Sequence, residues 1–446
     1  MTPDTTRSYS EFGTSLQRAT GGARVPLNGS FELTFRCNLR CIHCYIPDYS
    51  GAGEMRTDEV KRILSEAADE GCLWMLLTGG EVLSRGDFPE IYLHARRLGM
   101  LLTVFTNGIL LDDRIADLFT EYPPFGLEIT LYGMSDATYL TTTGFPGRFT
   151  RVRSAVEKVV QRGLRLTLKA VAMEALRSEI PAMQAWAASL GVPFRFDSII
   201  HGRLDGSMQP TGARATPENV VAWDERDPKR RADWMTFYRK FVKPVRPSEM
   251  LMSCGAGVQS FHVDPKGTLL SCEALPLDGY DLRRGTFREG WHGIVGDVRR
   301  RRASAANVCA SCALRPMCDR CPASATLETG DPDGWIPYYC EITHRRAAMF
   351  ERELGDPEVA ARYQAHAEKV ASGWTPPGVT LPRATSLAAR PSAGGCGSSG
   401  GCASSGGCST GARPAQEKVA TAPLQITLRK TPTSSGEAVT NMEARD

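Results

Sequence analysis

Phe35-Arg36-Cys37-Asn38-Leu39-Arg40-Cys41-Ile42-His43-Cys44-Tyr45 sets three cysteines in a CxxxCxxC spacing. It follows directly on Phe31–Phe35, a short apolar segment that alternates with period two and predicts a strand. Thiols packed that closely on one loop cannot bridge one another without strain, but they can hold three corners of an iron–sulfur cube. The fourth iron would then stay open to a substrate or cosubstrate. Structural zinc is the rival occupant, and zinc normally takes four protein ligands, commonly from two knuckles.

Outward from this loop the chain alternates. Thr57 opens a helix with Val60, Ile63, Leu64 and Ala67 on one face, closed by Gly71. Cys72–Thr78 is a near-continuous apolar run, as a strand covered on both faces requires, and Cys72 reads as a core thiol. A helix from Asp87 to Gly99 leads to a third strand, Met100–Thr106, and an Asn107-Gly108 turn. Helix Asp113–Glu121, strand Gly126–Leu131, helix Phe149–Arg162, strand Leu164–Val171, helix Glu179–Leu190 and strand Pro193–Asp197 complete six strand–helix units. Short connections between such units predict a parallel sheet, because each crossover helix must bury a face on it. The fold class expected is α/β, a partial (β/α)6 TIM-like barrel whose chemistry sits at the carboxyl ends of the strands.

The motifs after strands one, two and three together resemble those of radical S-adenosylmethionine (SAM) enzymes, over about residues 28–200. His43 occupies the aromatic-type position before the third cysteine. Thr78-Gly79-Gly80-Glu81 resembles the family's GGEP element, with Val82 in place of the proline, and Thr106-Asn107-Gly108 resembles its TNG element. The resemblance implies that Cys37, Cys41 and Cys44 hold a 4Fe–4S cluster whose open iron chelates SAM and donates the electron that cleaves it to a 5′-deoxyadenosyl radical. It implies further that His43, Gly79, Gly80, Glu81, Asn107 and Thr130 form the SAM pocket. Thr142 stands where relatives often carry a basic residue, which leaves Lys169 as a substitute partner for the SAM carboxylate.

A second array comprises Cys254, Cys272, Cys309-x2-Cys312-x5-Cys318-x2-Cys321 and Cys340. It resembles the seven-cysteine SPASM domain, with two residues rather than three between the fifth and sixth cysteines. The resemblance implies two auxiliary 4Fe–4S clusters, a distal one on Cys309, Cys312, Cys318 and Cys340 and a proximal one on Cys254, Cys272 and Cys321. A four-thiolate zinc knuckle is the rival reading of residues 309–321. Clusters in series relay electrons, and they also staple a segment too polar to build its own core. Glu273, immediately after Cys272, occupies the position of the catalytic base in sulfatase-maturating relatives, within a different local motif; a surface acid is the equal alternative.

The expected organisation is a flexible arm at 1–24, the barrel at 25–200, a connector with helical stretches at 201–250, a SPASM domain at 251–345, a C-terminal helix at 346–372 within a longer run Glu341–Ala371, and a disordered Gly/Ser/Cys tail at 373–446. That tail repeats Gly-Gly-Cys at Cys396, Cys402 and Cys408. It reads as a linker with incidental cysteines, as a fused or mimicked substrate, or as a thiol carrier.

Of 446 residues, 42% are hydrophobic and 23% charged, ordinary for a soluble globular protein. A net charge of +3 argues against nucleic acid as a partner, and no apolar run is long enough to span a membrane. Fourteen clustered cysteines point to metal in a reducing cytoplasm rather than to disulfides. The function expected is an oxidoreductase of the peptide-maturase type that crosslinks, oxidises or epimerises a peptide or protein substrate. Flavodoxin or ferredoxin would be the electron donor, and a separate chain would recognise any leader peptide. The alternatives are a sulfatase-type maturase that oxidises a Cys or Ser, and an electron-transfer or zinc-binding scaffold without SAM chemistry.

Overall fold

The computed structural model describes residues 9–20, 23–242, 249–275, 277–379 and 381, together with the backbone of 425–432 and 438–445. Six strands, β1 Asn28–Glu32, β2 Trp74–Thr78, β3 Leu101–Thr106, β4 Gly126–Leu131, β5 Leu166–Val171 and β6 Phe194–Asp197, pair in parallel in chain order. The helices crossing between them are α2 Thr57–Asp69, α3 Phe88–Arg97, α4 Asp113–Glu121, α5 Asp136–Thr143 and α6 Phe149–Gln161, and α7 Ile180–Ser189. Their apolar stripes bury on the sheet as the 3.6-residue period dictates; on α2 these are Val60, Ile63, Leu64 and Ala67. Thr57 is the first helical residue rather than the cap, and its hydroxyl donates to Asp87 Oδ2 at 2.7 Å.

The sheet does not stop at six strands. β7 Ser260–Val263, from the cysteine-rich segment, pairs in parallel with the free edge of β1, and β8 Thr268–Leu270 and β9 Tyr280–Asp281 follow antiparallel. The order is β6-β5-β4-β3-β2-β1-β7-β8-β9, so the second cysteine-rich region is continuous with the barrel sheet. The described residues from Tyr9 to Leu381 belong to one compact unit.

Two other expectations are corrected. The amino-terminal arm carries α1 Tyr9–Ala19, whose Tyr9 ring lies 5.0 Å from Phe125. The single carboxy-terminal helix is two, α13 Pro337–Leu354 and α14 Pro357–Ala371. Gly355, at φ +80°, ends the first, and Asp356 caps the second by accepting from Val359 N. In the separate unit 390–446, the described residues are β10 Gln425–Pro432 and β11 Ala438–Arg445, which pair antiparallel. Cys396, Cys402 and Cys408 lie outside the described residues.

The connector holds α8 Pro217–Arg226 and α9 Pro228–Phe237, and the cysteine-rich segment adds the short helices α10 Phe287–Gly290, α11 Gly296–Arg299 and α12 Pro322–Thr329. Fully buried Asp224 of α8 ties these parts together, accepting from Arg346 Nε at 2.9 Å and Arg230 Nη2 at 2.7 Å. A buried carboxylate shared by two guanidiniums is neutralised where water cannot do it. Among the described residues no helix is long and apolar enough to cross a membrane.

Candidate active site

A cavity of about 380 Å³ opens at the carboxyl ends of the strands. The cysteine loop forms one wall, and Cys37, Cys41, His43 and Cys44 all face the space. Gly79 and Gly80 let β2's exit pass under this loop. A Cβ at residue 79 would stand 2.5 Å from Thr34 O, and one at residue 80 would stand 2.6 Å from Phe35 O and Arg36 O. Gly80 N and Glu81 N donate instead to Thr34 O and Arg36 O at 2.7 and 2.8 Å, which locks the two segments together. Glu54 holds the loop from the other side, accepting from Thr34 Oγ1 and Phe35 N, both at 2.7 Å.

Glu81 differs from the role the motif suggests. It is 1% exposed and does not line the cavity. Its carboxylate accepts from Thr106 Oγ1 at 2.6 Å, Asn107 N at 2.7 Å and Leu83 N at 3.1 Å. Burial raises its pKa even against these donors. Glu81 therefore fixes the Thr-Asn-Gly turn, and Asn107 in turn reaches the cavity and donates from Nδ2 to Asn38 Oδ1 at 2.7 Å. Thr130 lines the cavity at the end of β4. Thr142 is buried with its hydroxyl on Tyr132 O and Thr138 O, so it faces away from any ligand.

Burial dominates the electrostatics. It pushes the Cys37 thiol up to about 12, Cys41 well above the thiol range and Cys44 upward, with neighbouring thiols adding to the first two and Glu32 to the third. Burial thus disfavours three thiolates, and a metal centre would supply the positive charge they need. Three converging sulfurs beside open space fit a cluster with one unshared iron. His43 is half-buried with its Nδ1 enclosed and unpartnered, and desolvation holds it down to about 4; its ring lies 5.6 Å from Tyr132. Lys169 on β5 sits 2.9 Å above the Phe105 ring and 3.6 Å from Glu128, and burial lowers it to about 7. Glu273 reaches the same cavity from the second cysteine-rich segment, at an exposed position on its rim.

Sequence reasoning missed several lining residues, including Tyr45, Tyr132, Arg195 and Asp197. Asp197 ends β6, so its strand-end position was a usable signal. Tyr45 was not findable, because its placement depends on a remote chain of partners. Its hydroxyl donates to buried Glu32 at 2.5 Å, and Glu32 is 3.4 Å from His262 of β7.

The second array separates into two groups. Cys309, Cys312, Cys318 and Cys340 line one small enclosed pocket, with Arg320 and His344 beside them. Burial pushes Cys318 and Cys340 up to about 12, so this pocket too offers four thiols that only a metal centre would ionise. Cys272, also pushed up to about 12 by burial, feels Cys321 and Cys254 as neighbours. Cys254 and Cys321 are exposed.

Residues 31–175 match the family described as the radical SAM superfamily. This segment is a radical SAM domain. The chain is 27% identical over 325 residues to the AdoMet-dependent heme synthase of Methanosarcina barkeri, covering 68% of this chain and 93% of the relative. It is 28% identical over 358 residues to the PqqA peptide cyclase of Xanthomonas euvesicatoria, covering 77% and 95%. Among solved structures, Streptococcus suis SuiB bound to S-adenosylmethionine superposes with a TM-score of 0.56 at 17% identity, over 74% of this chain and 82% of SuiB. SuiB bound to its precursor peptide SuiA gives 0.57 at 16% identity, over 73% and 78%. These superpositions place the radical SAM domain and the sheet that continues it within one known fold.

Proposed function

We propose that this chain is a radical SAM enzyme that modifies a peptide or protein substrate. The observation that carries the reading is one cavity lined both by the Cys37/Cys41/Cys44 loop and by Glu273 from the second cysteine-rich segment. Cys37, Cys41 and Cys44 would hold a 4Fe–4S cluster, which would supply the electron for reductive cleavage of SAM. The chain's own residues do the rest. The Gly79-Gly80 turn gives a ligand's ammonium close access to backbone carbonyls, and Asn107 and Thr130 offer polar contacts. Lys169, the one lysine on the cavity wall among the described residues, is the partner for the SAM carboxylate. Phe105, Tyr132 and Tyr45 narrow the space and exclude water. Glu273 accepts a proton from the substrate at the rim.

Support for a peptide substrate comes from the names of the relatives: PqqA peptide cyclase acts on a peptide, and SuiB is seen with a precursor peptide. Auxiliary clusters on Cys309/Cys312/Cys318/Cys340 and on Cys254/Cys272/Cys321 would take up the electron left after hydrogen abstraction. A cytoplasmic setting, a flavodoxin- or ferredoxin-type donor and a separate leader-recognition chain belong to the same proposal. The test is anaerobic reconstitution with iron, sulfide, SAM and dithionite, followed by chromatography for 5′-deoxyadenosine. Nucleoside release that rises with a cysteine- or glycine-rich peptide, together with a mass change in that peptide, is expected. Release that rises only with a porphyrin would move the substrate to that of the heme synthase relative. No release would leave a scaffold protein.

A further inference from the structure

Cys340 lies on the first turn of α13, and His344 follows one turn later on the same helical face. The Gly355-Asp356-Pro357 break returns α14 alongside, and His366 arrives at the same sulfur. His344 Nδ1 and His366 Nε2 each stand 3.7 Å from Cys340 Sγ, and all three atoms lie within 4.8 Å of one another. The two rings stack at 4.0 Å with 25° between their planes. Tyr363 packs edge-on to His344 at 6.0 Å and Trp374 edge-on to His366 at 5.3 Å, so the pair is clamped from both sides.

Three such donors suggest a metal site of their own, but the geometry argues otherwise. His344 Nδ1 is 2.8 Å from Cys340 O, a hydrogen bond that requires a proton on that nitrogen and leaves it no lone pair for an ion. Nearly parallel rings aim their ring nitrogens side by side rather than at one point between them. What His366 Nε2 faces is the Cys340 sulfur, which lines the pocket with Cys309, Cys312 and Cys318.

We propose that His366, seated against the His344 ring, is an N–H donor to the Cys340 thiolate and sets the reduction potential of the cluster that Cys309, Cys312, Cys318 and Cys340 would hold. The inference rests on the cluster reading of those four cysteines. Donors to a ligating sulfur stabilise the more negative, reduced state and raise the potential. In this enzyme they make that cluster the better electron acceptor. His366 is a positioning residue, acting through Cys340, and His344 holds its ring in place by stacking.

The experiment is an EPR-monitored redox titration of the full-length, anaerobically reconstituted protein. The relevant signal is identified as the one lost in Cys318→Ala. Its midpoint is expected to fall in His366→Phe and to fall little further in His344→Phe/His366→Phe, while the other clusters' midpoints stay in place. His366→Gln, which keeps an N–H, should recover part of the shift. An unmoved midpoint with the cluster intact overturns the inference. Should the Phe variants not fold, wild-type protein labelled with 15N-histidine decides it. Weak nitrogen coupling and an exchangeable proton near the cluster are expected, whereas coupling of ligating size would make histidine an iron ligand and overturn it. Zinc instead of iron and sulfide in the four-cysteine pocket would remove the underlying reading as well, and metal analysis separates that failure from the first.

Discussion

The two cysteine regions use the same ligand atom in opposite surroundings. Cys37, Cys41 and Cys44 supply three sulfurs to one wall of a large cavity whose other walls are strand ends. Cys309, Cys312, Cys318 and Cys340 supply four sulfurs to a small enclosed pocket with little room for anything beyond the metal centre. Three ligands beside open space leave an iron free for chemistry, whereas four ligands in a closed pocket leave only electron transfer and structural support. Ligand count and free volume therefore separate the roles more clearly than cysteine spacing does.

The largest effect that could break this contrast is on SAM cleavage. Cys41→Ala is expected to abolish 5′-deoxyadenosine release while the iron bound by the second region remains. Cys318→Ala should do the reverse, retaining nucleoside release and losing one auxiliary EPR signal and the modified peptide. Equal loss of nucleoside in both variants would erase the distinction.

Next in size is stability. Asp224→Ala leaves Arg346 and Arg230 without their shared carboxylate in a buried setting, and removing one partner of a buried pair costs about 3–5 kcal/mol. Urea unfolding of the metal-free chain measures it. A change below about 1 kcal/mol, as for a surface pair, would show that this network does not hold the connector to α13.

A smaller effect is expected at the turn below the cavity. Glu81→Ala strands the Thr106 and Asn107 donors at a cost of about 1–3 kcal/mol each, and loosening Asn107 should weaken SAM binding about tenfold. Calorimetric titration of SAM into reconstituted protein checks this. Unchanged affinity would detach Glu81 from the pocket altogether.

The smallest effect is in pH. Lys169 titrates at about 7, so its charged fraction falls from about nine-tenths at pH 6 to about one-tenth at pH 8. SAM affinity should decline over that range, and Lys169→Met should flatten the decline. The same depressed pKa makes the unfolded chain bind the extra proton. Stability relative to Lys169→Met should therefore rise with pH from about 7 toward about 10.4.

The open site was legible in the sequence because its parts are local. A loop of three cysteines, a Gly-Gly turn and a Thr-Asn-Gly turn each sit at the end of a periodic strand, and topology brings strand ends together. The residues that escaped depend on distant pairing. Ser260–Val263 is too short and too embedded among cysteines to announce a strand, yet it joins β1 and brings His262 to Glu32 and thence to Tyr45. Glu81 was assigned to the ligand because the motif cannot show that its oxygens are already engaged. The break between α13 and α14 was written in Gly355-Asp356-Pro357, but a sustained apolar stripe on both sides masked it.

The contrast between the open and closed cysteine sets is tested most directly by EPR of the reduced protein with and without SAM. SAM should perturb a signal that disappears in Cys37→Ala/Cys41→Ala/Cys44→Ala and leave the signal lost in Cys318→Ala untouched. A SAM-dependent change that survives in the triple variant would contradict the account.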